Sequence, residues 1–173
     1  GSSVIRLIQG VTSVMAWGVP AVLWGMYRGQ IKKYLGLADR TWLPLFGLAF
    51  LLLVVAFPLA QWLAISQEWL SSIESLSGLA EYAAESEARS IAMYKSLLSE
   101  TSPGSIAANV LVIAILPAVM EELFFRGVLV GNMKEIVSPH VAVWAAAFIF
   151  SLIHFEFLGF FSRLFLGGIL GYL

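Results

Sequence analysis

Glu121-Glu122-Leu123-Phe124-Phe125-Arg126 sets two adjacent carboxylates and a guanidinium directly after an apolar run, residues 109–120, with the character of a membrane-embedded helix. A charged side chain at that depth costs roughly 2.5–3.5 kcal/mol on insertion scales. Three such groups together must be paired, hydrated or used. On a helix Glu122 and Arg126 are four apart and share a face, so the spacing predicts an ion pair. Glu121 points about 100° away from Glu122 and finds no countercharge within its own turn. One glutamate is accounted for by structure, and the other is a candidate for chemistry.

The second polar intrusion is His154, in Phe150-Ser151-Leu152-Ile153-His154, with Ala147, Phe150 and Ser151 on its helical face. If the chain turns at Ser138-Pro139, Glu121 and His154 both lie roughly 22–26 Å along antiparallel neighbours, at 1.5 Å per residue. The two side chains then reach one depth. A carboxylate beside an imidazole, away from bulk water, is a general-base arrangement that can take a proton from water. Pro117 frees the carbonyl of Ile113 just before the pair. Zinc catalysis uses three protein ligands, and Glu121, Glu122 and His154 are the one plausible set here. Glu122 is better explained by Arg126, and there is no His-Glu-x-x-His. No cofactor is expected, and zinc stays open only through ligands from beyond Leu173.

The elements that must hold these residues are set by composition. The 173-residue chain is 60% hydrophobic and 12% charged, with a mean hydropathy of +0.88. Soluble domains have about 45–50% apolar and about 25% charged residues. The chain therefore reads as an all-α integral membrane protein. A net charge of −1 without any Lys/Arg-rich tract points away from a nucleic-acid partner. The lack of cysteine removes disulfides, thiolate ligands and thiol nucleophiles.

Apolar runs predict a helical transmembrane bundle with four full spans, at residues 8–27, 42–65, 106 through the Glu pair, and 141–161. A partial fifth begins near Arg163 and carries Gly167-x-x-x-Gly171, a spacing that lets helices approach closely in lipid. Arg163 itself reads as a helix-start residue. Residues 67–101 carry six glutamates against Arg89 and Lys95, with apolar residues at helical spacing and a break at Ser77-Gly78. They read as amphipathic helix outside the hydrocarbon, so residues 66–104 form an acidic extramembrane insertion in a single membrane-embedded domain, 1–173. Arg28, Lys32, Lys33 and Arg40 place the first loop in the cytoplasm and the acidic segment outside. The ends read as cut, with a further helix expected after Leu173.

Glu-Glu-x-x-x-Arg at Glu121, Glu122 and Arg126, followed by Phe-x-x-x-His at Phe150 and His154, resembles the first two motifs of the CPBP (Abi) intramembrane proteases. That family includes the CAAX prenyl endopeptidases and bacteriocin-processing or immunity proteins. The resemblance is specific over residues 117–173, moderate over the first two spans and weak in the acidic segment. It implies that Glu121 activates water with His154 assisting, that Glu122 and Arg126 hold the site together, and that Phe150 packs beside His154. It implies a peptide or membrane-protein substrate in the lipid bilayer, in a bacterial cytoplasmic membrane. The family's third motif, His-x-x-x-Asn or a variant that stabilises the oxyanion, has no counterpart here. Residues 1–173 alone are therefore expected to be inactive. The alternative is a non-proteolytic immunity or scaffold member, in which the same network only locks helices together.

Overall fold

The computed structural model describes residues 2–29, 31–34, 42–66, 77–154 and 159–172. Among these the chain is all helix: α1 (Ser2–Tyr27), α2 (Ile31–Tyr34), α3 (Trp42–Ser66), α4 (Ser77–Leu98), α5 (Pro103–Met133), α6 (Pro139–Ile153) and α7 (Phe160–Leu170). Two of these helix starts are written into the sequence as Ser-Pro. Ser102 Oγ accepts from the Ser105 amide at 3.2 Å and Ser138 Oγ from the Val141 amide at 3.4 Å, each with proline at the first helical position. Gly29 closes α1 with φ of 62°, the left-handed conformation that glycine takes at little steric cost. The chain then folds back until Ile31 lies against Gly25.

Among the described residues two helices are long and apolar enough to cross a membrane, α1 and α5. Only 6% of the most apolar stretch of α5 is buried within the protein, so it is no soluble core helix. Leu7, Val11, Met15, Val110, Leu111 and Ile115 turn outward, an apolar surface that fits lipid. The chain is accordingly read as membrane-embedded.

The expected fourth and fifth spans are redrawn. Residues 141–161 are not one helix: α6 ends at Ile153 with His154 as its C-terminal cap, and α7 starts at Phe160, ahead of the expected Arg163. The apolar helices α6 and α7 are shorter, at Pro139–Ile153 and Phe160–Leu170. In the acidic segment Ser77–Leu98 is helical as α4, while residues 67–76, which adjoin the expected break at Ser77-Gly78, lie outside the described ones.

The chain divides into two compact units. The first comprises Gly1–Ala38 and Arg89–Asn132, the second Asp39–Ala88 and Met133–Leu173.

In the first unit α1 and α5 pack side by side and run parallel. Arg6 meets Asn109, Gly10 faces Val112 and Leu116, Gly18 faces Met120, and Trp17 stacks on Phe124 and Phe125. Each helix widens into a π-helical turn just ahead of a proline, Val14–Gly18 before Pro20 and Val110–Ile115 before Pro117. The widened turn contains the i−4 carbonyl that the proline ring would otherwise strike, Ala16 and Ile113 respectively.

A polar cluster fastens one end of this pair. Arg6 Nε donates to Asn109 Oδ1 at 2.8 Å, and buried Asn109 donates to the Leu97 carbonyl at 2.8 Å. Arg6 Nη2 also lies 3.0 Å from Glu100 Oε2. Hydrogen bonds from Ser2 and Ser105, with Arg6 beside them, hold the Glu100 carboxyl down to about 2, so it stays ionised.

In the second unit α7 packs against α6 and α3. Ser162 Oγ donates to the Ala60 carbonyl at 2.7 Å. Gly167 approaches Ala147, while the space a Cβ would need on Gly168 and Gly171 is filled by Trp144 and Val143. The small-residue spacing of α7 thus serves close packing on α6. Gly168→Ala should lower the unfolding free energy in detergent by about 1–3 kcal/mol, as for an overpacked contact. Gly104→Ala, where nothing lies within 4 Å, is the control and should have little effect.

Candidate active site

The Glu pair sits inside α5, whose helix runs without interruption from the carboxylates to Met133. Glu122 Oε2 and Arg126 Nη1 are 3.1 Å apart, the contact that a four-residue spacing allows. The Glu122 side chain is 55% exposed and that of Arg126 21%, so the pair lies at the surface of the helix and not in a sealed core. Outside water, each charge there depends on the other. Glu121 is half-buried and also has an interaction in the folded chain. Reading its helical turn alone therefore understated its surroundings.

The residues flanking the pair are fixed by α1. Trp17 lies with its ring centroid 5.3 Å from both Phe124 and Phe125, which are themselves edge to face at 5.3 Å. Phe125 is 1% exposed. On the other side of the pair, the Met120 thioether occupies the space above Gly18. Reading the sequence gave no weight to Trp17 or Gly18, since nothing local connects positions a hundred residues apart. Arg6 and Asn109 were also passed over, although a lone polar residue in an apolar run was the signal that could have marked them.

His154 stands at the end of α6. Its Nδ1 is 2.7 Å from the Phe150 carbonyl oxygen. A carbonyl only accepts, so Nδ1 carries the proton and Nε2 is the nitrogen left for chemistry. The ring thereby caps a carbonyl at the end of the helix, while the His154 amide donates to Leu152. The Phe150 and His154 rings meet edge to face with centroids 4.6 Å apart, which fixes the imidazole plane. Ser151, 1% exposed, donates from Oγ to the Phe160 carbonyl and so ties the start of α7 to α6 beside the histidine. The Arg163 guanidinium folds back over Gly159 near the start of α7.

Glu121, Glu122 and Arg126 belong to the first unit, and Phe150 and His154 to the second. Among the described residues no three of His, Cys, Asp and Glu gather as a metal-ligating group.

Comparison with known proteins gives one match. Residues 103–173 match the sequence model of the type II CAAX prenyl endopeptidase Rce1-like family. That stretch contains α5, α6 and α7 with both motifs, and its match agrees with the resemblance of those motifs to the CPBP/CAAX proteases. No curated protein and no solved structure matches.

Proposed function

We propose that this chain carries the catalytic glutamate and histidine of a membrane-embedded endopeptidase, which cleaves a peptide bond with water activated by Glu121 and assisted by His154. The observation that carries the reading is that both motifs fall within the segment matching a protease family. Glu121 would take a proton from water as the water oxygen adds to the peptide carbonyl carbon. The same proton would pass to the amide nitrogen as the C–N bond breaks. His154, with Nδ1 held by the Phe150 carbonyl, would use Nε2 to orient the water. Glu122 and Arg126 would keep the helix face in place without touching substrate. The substrate class is a peptide or a membrane-protein segment presented in the bilayer. The test is hydrolysis of quenched-fluorescence peptides by the full-length protein in liposomes, and loss of that activity in Glu121→Gln.

The reading includes a topology. With α1 and α5 parallel and both spanning, the chain between Tyr27 and Pro103 would cross the bilayer once more. Trp42–Ser66, 25 residues and strongly apolar, has the length for it, since a span needs about 20 residues. The N-terminus and the Glu100 end of the acidic segment then share one face, and the basic first loop lies on the other, cytoplasmic one. The chain has no cysteine, so single-cysteine labelling is clean. Ser3→Cys and Ser99→Cys should react with an impermeant maleimide from the non-cytoplasmic side, and Lys32→Cys only from the cytoplasm. Labelling of Ser3→Cys and Ser99→Cys from opposite sides would contradict the return crossing.

A further inference from the structure

We infer that Trp17 and Gly18 of α1 are positioning residues for Glu121, setting the direction in which its carboxylate points; the inference rests on the reading of Glu121 as the base. Three contacts converge on this step. The Trp17 ring stacks on Phe124 and Phe125, the residues at i+3 and i+4 from Glu121. Met120, the residue before Glu121, seats its thioether over Gly18, where any Cβ would collide with the sulfur. The Glu pair is thus held on both sides by two consecutive residues of another helix.

The local backbone makes this hold necessary. Trp17 and Gly18 end the π-helical turn Val14–Gly18, and Phe124 and Phe125 open the π-helical segment Leu123–Val130 directly after Glu122. A π-helical turn has more residues per turn than an α-helix. Passing from α to π therefore changes the direction of successive side chains, and the Glu pair lies at that passage. Hydrogen bonding within α5 does not by itself fix where the widening begins. Phe125, buried to 1% exposure against Trp17, pins it. Loss of the indole leaves α5 helical and frees the rotation of the Glu121 turn. A shift of about 1 Å in a reacting group can cost about 10²-fold in rate.

The experiment reads orientation and catalysis separately. Orientation is read as the alkylation rate of Glu121→Cys in otherwise cysteine-free protein, alone and combined with Trp17→Ala or Trp17→Phe, with Ser105→Cys as the reference site. Trp17→Ala should change the rate at position 121 about tenfold and leave position 105 unchanged, and Trp17→Phe should restore it. In the Glu121 protein, Trp17→Ala should lower kcat about 10²-fold with KM within twofold, again restored by Trp17→Phe. Unchanged alkylation at position 121 in a folded Trp17→Ala protein overturns the positioning role. If Glu121→Gln keeps full activity, the protease reading of Glu121 falls, while the alkylation rates still decide whether Trp17 orients that position.

Discussion

Glu121→Ala and His154→Ala each lower peptide hydrolysis by the full-length protein by about 10²–10⁴ in kcat, the usual value of positioned acid–base assistance. The substitutions leave the protein folded in the membrane, because neither side chain contributes to the packing of Trp17 on Phe124 and Phe125 or of Gly168 on Trp144. The double substitution costs little more than the worse single one, as expected when two groups act on one water. His154→Gln separates position from chemistry, since an amide can still donate to the Phe150 carbonyl but offers no basic nitrogen. It should be as inactive as His154→Ala while keeping more of the wild-type thermal stability. The measurement is initial rate in liposomes beside the unfolding midpoint of each purified variant. A loss of only twofold in Glu121→Ala, with wild-type folding, would assign the Glu/Arg/His network to a scaffold of the immunity type.

The second large effect is on stability. Arg126→Met leaves Glu122 as a charge in the apolar zone without the guanidinium 3.1 Å away, at a cost of roughly 2.5–3.5 kcal/mol on insertion scales. Glu122→Gln strands the arginine in the same way and should lower the amount of inserted protein. In the double variant Glu122→Gln/Arg126→Met both charges go, and most of the loss should be recovered. Replacing a whole ion pair by neutral groups is often close to neutral, whereas removing one partner is not. Membrane-inserted yield and the unfolding midpoint of the four proteins give the coupling directly. Additive losses would show that the two residues act independently, despite their contact.

Much of the scaffold is local, and local features are legible in a sequence. Apolar content identified a membrane protein, and apolar run length placed the end of α1 and, within three residues, the start of α5, but it missed residues 2–7 of α1 and 123–133 of α5. The turn expected at Ser138-Pro139 is where α6 starts, and the same Ser-Pro signal at 102–103 was passed over although a hydroxyl cap and an N1 proline act within one turn. The Glu122–Arg126 contact follows from helical spacing alone. Glu121 and His154 were singled out because polar groups are costly in apolar surroundings and must have a reason to be there, and Phe150 by its motif spacing from His154.

What the tertiary structure decided involves pairs distant in sequence or competition between hydrogen bonds. A count of apolar residues measures the length of a run and not where its backbone ladder stops, so residues 141–161 read as one helix. In the fold the His154 ring takes the Phe150 carbonyl, and α6 ends beside it. Gly167-x-x-x-Gly171 is compatible with packing or with plain glycine content by sequence, and in the fold Ala147 lies against Gly167 while Val143 fills the space over Gly171. The parallel course of α1 and α5, and the hold of Trp17 and Gly18 on the turn that carries Glu121, join residues a hundred positions apart. No periodicity encodes such a pairing. It is selected by which side chains fit together once both helices exist, and α1 thereby becomes part of the site's support.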